Sequence, residues 1–214
     1  YISLLPLAIG IFRIRKLDRA FLSLLVMITC ETGIAIYSRW QQVNAINNIP
    51  SLHLMTFLEI LFGGIFFYFI LKKSYLKKIT LSLSVGLLIY TSINSFFLQS
   101  IYEYNQIPRT IEGSLFVLCS FFFFYELLKQ PGLIQLSKSA KFWAVIAFFT
   151  YFGTTQFVHL FSEHMMEHHN AFHMALRELN RTMVIIYYSI FSIAFLKKGK
   201  NRQQFNESKT LSFQ

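Results

Sequence analysis

Long apolar runs recur along the whole of this chain, at residues 20–37, 52–71, 79–98, 111–128 and 142–162, separated by short polar or basic connections. About 20 apolar residues in helical form cover the hydrocarbon core of a bilayer. Within that core each backbone N–H and C=O must be satisfied inside its own segment, so such runs fold as helices. Two shorter runs complete the pattern. Residues 1–12 reach only about 18 Å as a helix and are expected to be the inner end of an incomplete first span. Residues 182–196 reach about 22 Å, short of a core of roughly 30 Å, so this helix is expected to begin near Phe172 with Asn170 as its cap. The expectation is an all-α polytopic membrane protein. A seven-helix transmembrane bundle would occupy residues 1–197 and a polar cytoplasmic tail residues 198–214. The chain is 54% hydrophobic and 14% charged, where a soluble domain carries about a quarter charged residues. A second folded domain has no room.

The basic residues give the orientation. Of 20 Lys and Arg, 16 fall in segments 13–19, 72–78, 129–141 and 197–214, and 4 in the alternate segments 38–51, 99–110 and 163–181. Lys and Arg concentrate on the cytoplasmic side of a membrane protein, so the N-terminus is expected outside and the C-terminus inside. The formal charge of +10 therefore reads as topology signalling and calls for no nucleic acid. Trp40 and Trp143 fall at the expected membrane–water interfaces. Cys30 and Cys119 both lie inside apolar runs, which argues against a disulfide. The segments FFYFILKK (66–73) and FFYELLKQ (123–130) echo one another 57 residues apart, as alternating topology in a Phe-rich chain would have it.

Polar residues within the spans gather on the outer side. An ionisable group in a transmembrane helix costs about 2.5–3.5 kcal/mol on insertion scales and normally faces the bundle interior, where it finds a partner. Glu31, Glu59 and Glu112, in spans two, three and five, approach one depth. Arg177, Glu178 and Arg181 come to the same region from the last helix, the two arginines one turn apart. The set reads either as a ligand pocket open to the outside, with Arg177 and Arg181 gripping an anionic group, or as an ion network that fixes helix order. Arg109 falls in the outer connection QSIYEYNQIPRT and reads as solvent-exposed.

Five of the six histidines lie within residues 157–181, FVHLFSEHMMEHHNAFHMALRELNR. His164 and His168, and again His169 and His173, are spaced i and i+4 and would share a helix face. Completed by His159, Glu163 or Glu167, such pairs suit zinc or another divalent metal. HMMEHH lacks the HExxH order that sets a glutamate beside the first ligand as base, and a solvated His-rich loop is the other reading. His53, at the start of a span, is expected at the interface. The helix count and HxxxH spacing resemble seven-helix zinc hydrolases of the alkaline ceramidase and adiponectin-receptor type. That group also uses an intramembrane aspartate, and the one aspartate here, Asp18, lies in a basic loop.

The run HLMTFLEILFGGIFFYFILKK (53–73) and the later FWAVIAFFTYFGTTQFVHLFS (142–162) resemble spans of uncharacterised multi-helix inner-membrane proteins of Bacteroidetes, with Glu59 matching their third-span glutamate. Such proteins are often encoded near sensor histidine kinases. The resemblance implies the bacterial inner membrane, and a sensor kinase or another membrane protein as partner. The expected function is sensory or ligand-binding, with a polar pocket open to the outer face. The alternatives are a membrane-embedded metalloenzyme using the His/Glu cluster and a small transporter. The spans lack the paired Gly/Pro interruptions of unwound transporter helices.

Overall fold

The computed structural model of the chain describes residues 2–129, 136–160 and 171–211, with the side chains of 157, 159, 160, 171–173 and 199–211 outside that description. The described residues form seven α-helices and no strand. These are α1 (Leu4–Phe12), α2 (Arg19–Val43), α3 (Ile49–Ile70), α4 (Ser74–Ile93), α5 (Gln106–Leu128), α6 (Ala140–Leu160) and α7 (Ala171–Leu211). Five stretches are long and apolar enough to cross a bilayer: Arg19–Val43, Ile49–Ile70, Ser74–Leu98, Gln106–Leu128 and Met174–Lys198. The helices fall where the apolar runs do. One boundary differs in a way that matters: α5 begins at Gln106 and not at Ile111, which takes Arg109 into its first turn.

Each helix packs on its neighbours in the chain, and α7 returns to α1, closing the bundle into a ring. α3 also reaches α5 across the ring. Local chemistry sets the ends. Asp18 caps α2 through a hydrogen bond from the Phe21 N–H (3.1 Å). At the other end of α2 the Ile46 N–H bonds the Gln41 carbonyl and the Ala45 N–H the Gln42 carbonyl. This is the paired closure that requires a left-handed residue after the helix, and Ala45 supplies it at φ 56°. Pro50 sits in the first turn of α3, where its missing N–H costs nothing. Where α3 gives way to α4, the buried Glu126 carboxylate of α5 accepts hydrogen bonds from the Lys72 (2.8 Å) and Lys73 (2.6 Å) N–H groups. α4 ends in a π-helical turn, Asn94–Leu98.

The core is aromatic. Phe21, Phe66, Phe67, Phe116, Phe148, Phe152, Phe191 and Phe195 are fully buried. The Phe148 ring lies with its centroid 5.1 Å from those of Phe67 and Phe116 and 5.5 Å from those of Phe66 and Phe191. Gly63 lets α3 approach this cluster: a Cβ there would stand 2.5 Å from Phe116 Cζ. Gly64 does the same for α4, where the added atom would meet Ser84 Oγ at 2.6 Å. Small residues at helix contacts are what packing in lipid selects, since the hydrocarbon removes the usual hydrophobic gain. The outward faces are as apolar as the core: Val26, Ile36, Ile79, Leu83, Ile89, Leu118, Phe121 and Ile185 are all exposed. A water-soluble bundle would reverse that pattern, and the chain is a membrane-embedded protein.

At the end of the bundle that carries the basic connections, α7 is tied to the segment joining α1 and α2. Lys198 pairs with Asp18, and Arg13 Nη1 donates to the Leu196 carbonyl (2.7 Å). Burial alone would raise the Asp18 carboxyl, but Lys198 and the Phe21 N–H hold it below its ordinary value. Cys30 and Cys119 are free thiols.

Candidate functional site

The polar residues of the interior assemble around Glu59, at the middle of α3. On one side stands Arg109. Because α5 starts early, this residue is buried rather than on a loop, with its side chain 10% exposed. Its Nη1 donates to the Glu59 carboxylate and to Glu112 Oε2 (2.9 Å), one turn along the same helix. Asn105 stands at the N-cap position of α5, yet its side chain does not cap the helix. Its Nδ2 donates instead to Thr56 Oγ1 (2.8 Å), three residues before Glu59 on α3. α3 and α5 are thus joined by an ion pair and an amide–hydroxyl bond within one turn. Breaking a buried pair by removing one partner costs about 3–5 kcal/mol, because the other charge is left stranded.

On the other side of Glu59 is a cavity of about 230 Å³. Its walls include Ile2 and Ser3, which precede α1, and Glu31, Glu59, Tyr151, Tyr187 and Tyr188 from α2, α3, α6 and α7. Glu31 is 2% exposed, and its Oε2 accepts a hydrogen bond from the Tyr188 hydroxyl (2.8 Å). Its Oε1 is buried and has no partner, and neither has the buried Tyr187 hydroxyl. The Tyr151 and Tyr187 rings lie 4.5 Å apart between centroids, tilted by 31°. Buried acceptors without donors are rare, since each forfeits its hydration with no return. Both belong to residues that wall the cavity.

Glu31, Glu59 and Glu112 come together as the sequence leads one to expect. Arg177, Glu178 and Arg181 do not join them. All three are exposed on α7, and Glu178 and Arg181 pair with each other across one turn at 2.6 Å, with side chains 64% and 65% exposed. The arginine of the buried network is Arg109. The reason is geometric: an early start to α5 buries Arg109, whereas α7 turns its first charged residues outward. His53 also differs from expectation. It is buried, with Nδ1 2.8 Å from Ser95 Oγ and Nε2 2.9 Å from the Glu103 carbonyl. A carbonyl can only accept, so Nε2 carries a proton and donates to it, while Nδ1 meets the Ser95 hydroxyl. The ring fastens α3 to the connection between α4 and α5.

Thr56, Asn105, Arg109, Tyr151, Tyr187 and Tyr188 are the members of the site that the sequence does not single out. Arg109 precedes Glu112 by three residues, and the same interval separates Thr56 from Glu59, spacings that share a helix face. Those are the only local signals. The metal candidates Glu163, His164, Glu167, His168 and His169 lie outside the described residues, as do the side chains of His159 and His173. Among the described residues no group of three or more His, Cys, Asp and Glu side chains is disposed to hold a metal. Comparisons with protein-family models, curated proteins and solved structures return no match.

Proposed function

We propose that this is a seven-helix protein of a bacterial inner membrane, N-terminus outside and C-terminus inside, of sensory or ligand-binding type. Its ligand would occupy the cavity between α1, α2, α3, α6 and α7 and enter from the end of the bundle away from the basic connections. The observation that carries this reading is the cavity itself, walled inside the bundle by two buried carboxylates, Glu31 and Glu59, and three tyrosines, Tyr151, Tyr187 and Tyr188. The link to a sensor kinase or another membrane protein is part of the same proposal and is supported by the resemblance of spans three and six alone.

The test is a thermal-shift screen of the detergent-purified full chain against small cations, anions and neutral polar molecules, run in parallel on the Glu31→Gln variant. Melting raised in a saturable way by some compound in the parent protein, and not in the variant, is the expected result. No shift with any compound, together with unchanged melting of Glu31→Gln, would reduce the cluster to a structural frame.

A further inference from the structure

We infer that a second site, separate from the cavity beside Glu59, lies where α3 begins, α4 ends and α5 begins, and that it binds a small neutral polyhydroxylated ring, a monosaccharide. A cavity of about 670 Å³ is found there, within the roughly 300–1,000 Å³ of small-molecule sites. The helix ends that form it belong to stretches long enough to cross the bilayer, so it lies at a membrane surface, where a water-borne ligand arrives. One wall is the π-helical turn Asn94–Leu98, a departure from the α-helix that is frequent at functional sites. The connection that follows is braced from α3. His53 Nε2 donates to the Glu103 carbonyl (2.9 Å) and Asn105 Nδ2 to Thr56 Oγ1 (2.8 Å). A wall held in this way has little freedom left to lose on binding.

One backbone carbonyl fixes the orientation of two carboxamides. Gln99 Nε2 donates to the Tyr104 carbonyl (2.9 Å), which can only accept. Gln99 Oε1 is therefore the atom that faces Asn94, and it accepts from Asn94 Nδ2 (3.0 Å). Asn94 Oδ1 is left over. Asn94 lines the cavity and is 5% exposed. Among the described residues nothing donates to its Oδ1, yet this oxygen is not enclosed as Glu31 Oε1 and Glu112 Oε1 are. It is an acceptor within reach of a guest. Tyr90 and Tyr102 also line the space, and among the described residues neither ring stacks on another or meets a cation. Their faces are open.

The chemistry of the wall selects the guest. Glu103 is the one charged side chain among the described lining residues, and no Lys, Arg or His joins it. A phosphate or carboxylate would find no counter-charge there. A small cation would leave most of the volume and the carboxamides unused, and an exposed carboxylate holds an ion weakly. An apolar guest would strip water from Asn94 Oδ1 and return nothing. A sugar ring meets each demand. Its hydroxyls both donate and accept, matching Asn94 Oδ1 and Glu103, and its C–H face lies against a tyrosine ring.

The test is saturation-transfer NMR on the full chain in lipid nanodiscs, titrated with glucose, galactose, mannose and N-acetylglucosamine. Glucosamine and glucuronate supply the same ring with a positive and a negative charge, and tetrahydropyran-2-methanol supplies it without the ring hydroxyls. At least one neutral sugar is expected to bind saturably, about tenfold or more tighter than tetrahydropyran-2-methanol, with the C–H protons of one face saturated most. Tyr102→Ala and Asn94→Leu should each weaken that binding about tenfold or more, and Arg181→Ala should leave it unchanged. Should Asn94→Leu fail to fold, Tyr102→Ala, at an exposed position, and the pattern of saturation carry the test. Neutral sugars that do not bind, or bind no tighter than tetrahydropyran-2-methanol, would overturn the inference, as would binding that Tyr102→Ala leaves undiminished. Binding of glucosamine alone, lost in Glu103→Gln, would make this a site for organic cations and end the sugar assignment. Sugar binding lost in Glu31→Gln but kept in Asn94→Leu and Tyr102→Ala would place the sugar in the inner cavity, overturning this site while supporting the other.

Discussion

Arg109 on α5 and Glu59 on α3, 50 residues apart in sequence, form a buried ion pair at the centre of the bundle. Glu59 is also a wall of the cavity. One carboxylate therefore belongs both to the frame that orders the helices and to the space where a ligand would sit.

Replacing Arg109 by Ala should be far more damaging than replacing Arg181. The first change strands the Glu59 and Glu112 carboxylates and should cost about 3–5 kcal/mol. The second removes an exposed pair across one helical turn, worth about 0.3–0.5 kcal/mol. Melting of the two variants in the same detergent decides it. Equal melting temperatures would mean that water reaches Arg109.

Orientation can be read with cysteines introduced at Asn44 and Ser137 in a Cys30→Ser, Cys119→Ser background. Both sites are exposed and lie at opposite ends of the bundle. An impermeant thiol reagent applied to intact cells should label Asn44→Cys and spare Ser137→Cys. Asn105, in the connection between α4 and α5, is buried, and Asn105→Cys should react only after denaturation. Labelling of Ser137→Cys alone would turn the protein over and move the cavity mouth to the cytoplasm.

How much of this was legible beforehand depends on what each feature is made of. Run length and basic clusters are local properties, and they placed a helix in each apolar run of the described residues. Arg109 was illegible because QSIYEYNQIPRT has the composition of a loop. Its burial is made tolerable by Glu59 on a distant helix together with Glu112 one turn along its own. Tyr151, Tyr187 and Tyr188 hide for another reason: an aromatic residue in an apolar run looks the same whether it packs in a core or lines a cavity. Arg177 and Arg181 misled in the opposite sense. Their spacing along α7 says which residues share a face and nothing about whether that face turns inward.

Gly63→Ala should destabilise the fold by about 1–3 kcal/mol, the usual effect of forcing volume into a packed core. The new methyl would collide with a fully buried Phe116 that is itself held by Phe67, Phe148 and Phe152. Gly86→Ala is the control. Nothing lies within 4 Å of its added carbon, so the better helix propensity of alanine should raise stability by up to about 1 kcal/mol. A Gly63→Ala protein as stable as the parent would show that the ring gives way freely.

Ala45→Gly should stabilise the fold. Alanine is strained at φ 56°, and glycine adopts that conformation without steric cost. The gain expected is about 0.5–1 kcal/mol, reduced by the extra freedom glycine brings to the unfolded chain. A higher melting temperature with unchanged probe binding is the outcome sought, and a lower one would mean that Ala45 relaxes out of the left-handed region.

The unbroken course of α7 past the aromatic residues has a mechanical consequence. Tyr187 and Lys198 are eleven residues apart, which at about 100° per residue brings them close to the same face, with roughly 16 Å between them along the axis. No proline or glycine interrupts the interval, so the segment has no hinge at which to dissipate a twist. A body that wedges against the ring of Tyr187 must turn or slide the rod as a whole, and the far end of that rod is where Lys198 holds Asp18. Occupancy of the proposed cavity would thereby be coupled, by stiffness alone, to the clasp at the basic end of the bundle.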